Sequence, residues 1–361
     1  MELDAEWKKT GTTTVRYEGR DILFTMATVP ASKLTLDPDN KRLWSITQGK
    51  YGGESLTQEQ ARTELWAMSS VKQLYQGILI SGGLGEALIV NRNGKVVEGN
   101  ERLTAIQHIE ENIEGEVFNE NEVLALEQLV NNVPVKVLPP DITAREVAMM
   151  LAQEHLGGKD PWDSMNQSRH IYEMHHEHGI PIQDISYQLR KSRPWVYQKL
   201  RAYEMAKEHF ERGDRWEKTQ EFSFFEEAFK KKKALKDEGL DLEQEEDRHR
   251  YMDMVSGGQI PRAIAVRKLP KVLHHQETRE LLEAGKGEQA FARLALVDAA
   301  EASPRFAAID NVNRQLNKMN WDDYRRISEN DSYRQLIQDT IHRLEKTLET
   351  VDGMKFEEGD E

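Results

Sequence analysis

The chain has 361 residues, 38% hydrophobic and 31% charged, enough for a packed core in each of two or three domains of roughly 100–200 residues. No apolar run approaches the ~20 residues that span a bilayer, and the N-terminus MELDAEWKKTGTT lacks an export signal's apolar stretch. A soluble, cytoplasmic protein with no membrane partner is therefore expected. With no cysteine, disulfide scaffolds, thiolate zinc sites and cysteine nucleophiles are excluded, and a net charge of −14 means that any nucleic-acid contact must come from a local basic patch.

Residues 20–140 mix strand and helix signals and are expected to form a compact α+β domain. Residues 22–26 make a short apolar run, and 29–38 an extended segment broken by proline. Residues 56–76 carry apolar positions at three-to-four spacing and predict a helix. Residues 87–90 are a strand candidate, Asn93-Gly94 a hairpin turn and 95–97 the returning strand. Gly99 then turns the chain into a helix over 101–110. Residues 133–138 alternate as a strand and end at Pro139-Pro140.

From Thr143 onward nearly everything predicts helix. Thr143 and Glu146 form a capping box before a helix over 147–155, which Gly157-Gly158 ends. A helix over 162–178 and two further short helices complete an all-α unit at 141–214. A highly charged helical region occupies 215–355, and 356–361 is an acidic tail expected to be disordered.

Residues 182–203, IQDISYQLRKSRPWVYQKLRAY, have the layout of a helix-turn-helix. Ile185 and Leu189 lie four apart on one helix, Val196 and Leu200 on the next, so two apolar faces can meet. Ser192 is a natural N-cap, and Pro194 falls in the first turn, where its missing N–H costs nothing. Between Ile185 and Tyr203 stand Arg190, Lys191, Arg193, Lys199 and Arg201 with no acidic residue, a local reversal of the chain's sign. Those cations, with Ser192 and Gln198, are the candidate contacts to double-stranded DNA; a solvated helical hairpin is the alternative. Trp195 is read as a packing residue.

The second constellation is the strand–turn–helix at 96–105. Gly99 and Asn100 open a helix whose backbone N–H groups favour an anion, and Arg102 in its first turn could add a phosphate contact. Glu98 and Glu101 could instead hold a metal or move a proton.

Gly99-Asn100-Glu101-Arg102-Leu103-Thr104-Ala105 resembles the G-E-R-R-x-R-A box of the ParB/sulfiredoxin superfamily. Residues 34–42 look like its opening segment, and residues 81–90, including Gly83, like its glycine box and strand. Residues 185–201 are similar to the ParB helix-turn-helix, with Arg190 where glycine is usual. The pieces follow in the same order over roughly 22–212. The resemblance implies a nucleotide-binding α+β domain followed by an all-α helix-turn-helix domain and an α-helical C-terminal region, as in plasmid or chromosome partition proteins. It implies a nucleoside triphosphate, CTP or ATP, with Mg²⁺ at Gly83, Gly99, Asn100, Arg102, Glu154 and Lys159. Glu154 and Lys159 stand for the superfamily's E-N-x-x-R motif. Two box arginines are replaced by Glu101 and Thr104. Other superfamily members are nucleases or phosphotransferases, so the rival reading is a metal-dependent enzyme using Glu98 and Glu101.

His170, His175, His176 and His178 are expected on a solvated helix face rather than at a metal. Residues 230–233, four lysines, are expected to be an exposed helix end, and Phe222, Phe224 and Phe225 a core or dimer contact. Ile341, Leu344 and Leu348 give the last helix an apolar stripe suited to self-association or a protein partner, and a homodimer is expected because two half-sites double the base contacts.

Overall fold

The computed structural model describes residues 7–17, 20–113, 118–156 and 162–353. The expected helix end at Gly157-Gly158, the candidate Lys159 and the acidic tail lie outside these residues.

The N-terminal part is a five-stranded sheet in the order β1-β2-β5-β3-β4. Its strands are β1 (Lys8–Tyr17), β2 (Arg20–Val29), β3 (Leu88–Val90), β4 (Val96–Glu98) and β5 (Val133–Val137). β3 and β5 run parallel, and the other neighbours are antiparallel. The Asn93-Gly94 turn joins β3 to β4 as the sequence suggests, with Gly94 at φ 82°. β1 is an addition that the sequence did not announce. Its residues KKTGTTTVRY alternate, but with threonine in place of aliphatic side chains.

Five helices accompany the sheet: α1 (Trp44–Tyr51), α2 (Gln58–Ala67), α3 (Ser69–Ser81), α4 (Asn100–Asn112) and α5 (Glu120–Asn131). The single helix expected over 56–76 is two, because Met68 takes an extended conformation (φ −75°, ψ 136°) and breaks the ladder. α5 was missed; Asn119 and Glu122 form its capping box.

Beyond the sheet come α6 (Ala144–Leu156), α7 (Ser164–Tyr172), a π-helical turn at Glu173–Glu177, α8 (Ile182–Leu189) and α9 (Arg193–Gly213). The Thr143–Glu146 capping box is present. The second of the two short helices runs 21 residues.

Each face of the sheet has its own core. On one, Val29, Leu88, Val90, Val96 and Val135 pack with Leu65 and with Leu103 and Ile106 of α4. On the other, Ile22 and Phe24 of β2 pack with Met149 and Met150 of α6 and with Ile185, Leu189, Val196 and Leu200 of the helix pair α8–α9. The helix pair therefore shares a core with the sheet rather than hanging from a linker.

The first compact unit continues to His274 instead of stopping near residue 214. It takes in α10 (Phe222–Lys230), α11 (Lys232–Asp237), α12 (Glu245–Ser256) and α13 (Leu269–His274). Phe210 at the end of α9 packs edge-on against Phe225 of α10 with ring centroids 6.3 Å apart, and Phe222, Phe225 and Phe229 are buried. This phenylalanine cluster is core. Two cations of the lysine run are paired, Lys230 with Glu227 and Lys232 with Glu243.

A second unit spans His275–Glu361 and contains α14 (Gln276–Glu283), α15 (Gly287–Ala302), α16 (Pro304–Asn317), α17 (Trp321–Glu329) and α18 (Asp331–Gly353). Leu282, Ala290 and Leu294 are its buried apolar residues, and the Arg293 guanidinium pairs with the Asp310 carboxylate.

Candidate nucleic-acid interface and ligand cavity

α8 ends at Arg190, which adopts the left-handed region (φ 52°, ψ 35°) where glycine is usual. A side chain there costs roughly 1–2 kcal/mol. The turn holds it with Lys191 N donating to Ser186 O at 3.1 Å and Ser186 Oγ donating to Lys191 O at 2.7 Å. Ser192 then caps α9, accepting from Trp195 N at 3.3 Å, with Pro194 in the first turn. Ile185, Leu189, Val196 and Leu200 are buried between the helices. Arg190, Lys191, Ser192 and Arg193 are exposed, Gln198 is half-buried, and Tyr187 and Tyr197 flank them at 80% and 52% exposure. Trp195 is half-buried on this core, with the Lys191 ammonium 5.5 Å from its ring. It is a packing residue, as expected.

Two of the five candidate cations are already engaged by carboxylates of the protein. Lys199 is buried, its Nζ donating to Ser164 Oγ and, at 2.7 Å, to Glu226 Oε1. Burial lowers its pKa against the opposing pull of Glu226, so the charge is one the fold must hold rather than one offered to a phosphate. Arg201 is paired with Glu204 and Glu243. Burial opposes its charge and the two carboxylates outweigh that, raising its pKa. Both residues leave the candidate DNA set, which becomes Arg190, Lys191 and Arg193 with Ser192 and Gln198.

The glycine turn opens onto a cavity of about 530 Å³. Gly99 sits at φ 100°, and a Cβ there would lie 2.5 Å from Leu88 Cδ2, so the turn requires glycine. Asn100 is buried, its Oδ1 accepting from Asp37 N at 2.8 Å, which pins the 34–42 segment to the start of α4. Gly99, Asn100, Arg102 and Glu154, which the resemblance assigns to a nucleotide, line this space together with Glu98 and Glu101 of the rival enzyme reading. Gly83 is not among its lining residues; the neighbouring Gly85 and Glu86 are.

Several polar groups of the cavity are already partnered. Arg102 donates to Glu98 Oε1 and to the Glu86 carbonyl, both at 3.0 Å. His155 Nε2 lies 2.6 Å from Glu98 Oε2, and its ring stacks on Trp162 at 4.4 Å. Burial alone would raise the Glu98 pKa, but His155 and Arg102 hold it below the usual carboxylate value. Glu101 accepts from Ser70 Oγ at 2.8 Å and lies 3.3 Å from Arg42 Nε. Lys41 donates to Glu173 Oε2 at 2.6 Å. Glu98 and Glu101 thus face separate cations instead of forming a shared metal pair, and among the described residues no cluster of three or more metal-ligating side chains occurs. Arg102 is a structural clamp on Glu98 before it is a phosphate contact.

Among the described residues, six carboxylates (Asp37, Asp39, Glu86, Glu98, Glu101 and Glu154) and three full cations (Lys41, Arg42 and Arg102) line the cavity. That lining repels a bare triphosphate, and a divalent counter-ion would offset the repulsion.

The histidine cluster splits. His176 is exposed and pairs with Glu204. His170, expected on a solvated face, is buried, donating from Nε2 to the Ala148 carbonyl at 2.8 Å, with Nδ1 3.5 Å from Glu173. Glu173, on the π-helical turn, also takes Lys41 and Arg169. Burial works against its charge, yet His170, Arg169 and Lys41 bring its pKa down to about 2. This node was missed. Nothing in the local sequence of Glu173 points to Lys41.

No family model and no curated protein matches this chain. Among solved structures, it is similar to the C-terminally truncated chromosome-partitioning protein ParB from Caulobacter crescentus complexed to the centromeric parS site. That alignment covers 68% of this chain and 98% of that chain, at 12% identity and a TM-score of 0.33. Agreement at this level assigns no role to any residue of this chain. No helix among the described residues is long and apolar enough to cross a membrane.

Proposed function

We propose that this chain is a ParB-like DNA-binding protein in which α8–α9 engages double-stranded DNA. The observation that supports this most is the exposed run Arg190-Lys191-Ser192-Arg193, cations displayed at the turn and first residues of a capped second helix. The chain as a whole carries −14, so this concentration of positive charge is directed at a polyanion. The cavity at Gly99 takes a nucleoside triphosphate only as its Mg²⁺ complex. The apolar residues Ile341, Leu344, Leu348 and Val351 of α18, all 40% or more exposed, supply a homodimer or partner contact.

Fluorescence anisotropy with a random-sequence duplex between 50 and 200 mM salt tests the reading. Lys191→Ala combined with Arg193→Ala removes two phosphate contacts, and the log–log salt slope is expected to fall by about 1.8, at roughly 0.9 per contact. Retention of wild-type affinity and slope in this variant refutes it. Thermal-shift measurements with CTP or ATP, with Mg²⁺ and then with EDTA, test the cavity. A shift that survives EDTA contradicts the counter-ion requirement.

A further inference from the structure

The edge strand β1 lies outside the helix pair, and its chemistry is unusual for this chain. Its ten residues hold Lys8, Lys9, Arg16 and four threonines, and no carboxylate. A bulge between Lys9 and Gly11 resets the register so that Lys9, Thr12, Thr14 and Arg16 oppose Ala27, Thr25, Leu23 and Asp21. Those partners are alternate residues of β2, so the four side chains share one face of the sheet. All four are exposed. The result is a row of cation, hydroxyl, hydroxyl and cation along the unpaired edge of the sheet, spanning most of the strand's roughly 30 Å length.

The row ends beside the helix pair. Arg16 lines a groove of about 560 Å³ with Gln153, Tyr187, Gln188 and Arg190. The opposite face of the hairpin is fixed to the same support, since Val15, Ile22 and Phe24 pack into the core containing Ile185, Leu189 and Val196. A further hairpin cation, Arg20, is held by Asp141 and Glu146 and belongs to the scaffold. Among the described residues, Asp21 is the carboxylate on the row's face, 3.8 Å from Arg16, with both side chains more than 60% exposed.

We infer that β1 is a second track for the DNA backbone, on which Lys9, Thr12, Thr14 and Arg16 meet phosphates and extend the footprint that begins at Arg190. Lysine, arginine and threonine side chains together with edge-strand N–H groups are the donors that phosphates accept. Continuity with the groove at Arg190 places the row beside the same duplex. The inference rests on α8–α9 binding DNA, and the experiment separates the two.

Duplex affinity and salt slope are measured for wild type, for Lys9→Gln with Arg16→Gln, for the charge-preserving Lys9→Arg with Arg16→Lys, and for Asp21→Asn. The glutamine variant is expected to bind about tenfold more weakly, with the slope reduced by about 1.8, while the charge-preserving variant behaves as wild type. Asp21→Asn, which removes the carboxylate 3.8 Å from Arg16, is expected to tighten binding several-fold, a gain that damage to the fold does not produce. If the glutamine variant keeps wild-type affinity and slope while Lys191→Ala with Arg193→Ala loses binding, β1 is no DNA track and the helix-pair reading stands. If wild type fails to bind any duplex at 50 mM salt, both fall.

Discussion

Glu173 carries a buried charge on which the fold depends. Its carboxylate is buried and accepts from Lys41, with Arg169 and His170 completing the cluster. Glu173→Gln keeps the volume and removes the charge, leaving those groups without their anion. The pKa is brought from 4.5 to about 2, which at about 1.36 kcal/mol per unit corresponds to about 3 kcal/mol of stability. The sign follows from the direction. A depressed carboxylate contributes fully above its unfolded value near 4.5, and the contribution fades as pH falls towards the folded value near 2. At pH 7 the variant should melt roughly 6–12 °C lower, at about 2–4 °C per kcal/mol for a unit of this size. At pH 3 the linkage leaves about 1.4 kcal/mol, so the gap between the two proteins should shrink by about half. Thermal unfolding followed by circular dichroism at both pH values reads this directly. A variant within 2 °C of wild type at pH 7, or a gap that is the same at pH 3, refutes the assignment of Glu173 as the anionic centre of this cluster.

Other substitutions separate structural from functional charge. Lys199→Met should cost about 1–3 kcal/mol by taking the 2.7 Å partner from the half-buried Glu226 carboxylate and leaving only Lys230 at 3.9 Å, yet leave the salt slope of DNA binding unchanged, as paired melting and anisotropy measurements would show. Gly99→Ala, forced to φ 100° with its Cβ against Leu88, should lose at least about 1–3 kcal/mol in chemical denaturation and abolish any Mg²⁺–nucleotide thermal shift. Tyr251→Phe removes the hydroxyl that donates to the Phe224 carbonyl at 2.8 Å in a fully buried setting, and should shift the urea midpoint by about 1–2 kcal/mol equivalent without changing DNA affinity.

The helix pair was legible because every determinant is local. The Ile185/Leu189 and Val196/Leu200 spacings, the Ser192 cap and Pro194 all act within one or two turns, and the structure places them as the spacing requires. The glycine turn was legible for the same reason, since a strand, a positive-φ residue and a helix follow one another directly. What escaped was decided by distant partners. Lys199 looked available until α10, 27 residues on, brought Glu226 to it, and the Lys41–Glu173 bond joins residues 132 apart. β1 escaped for a different reason. Its buried-face positions are threonine, valine and glycine, too polar to register as an apolar alternation, and its pairing with β2 is what makes it a strand.

The same distant pairings tie the cavity to the helix pair. Lys41 stands in the cavity wall and also holds Glu173, and Glu173 lies on the turn that leads into α8. An anion drawn to Lys41 competes with a carboxylate whose own protonation lies near pH 2, so it either brings enough favourable contact to unpair Glu173 or leaves the cluster as it is. In the first case its binding and the arrangement of the turn are linked by the same free energy in both directions, and DNA bound at α8–α9 would alter ligand affinity by the factor that ligand alters DNA affinity. In the second, the ligand has no differential contact with the turn and cannot shift it however tightly it binds. The excess of carboxylates around the cavity favours the second case for a bare anion. A ligand bringing its own divalent cation offsets those carboxylates and leaves its phosphates free to reach Lys41, so any coupling should appear only when the metal is present.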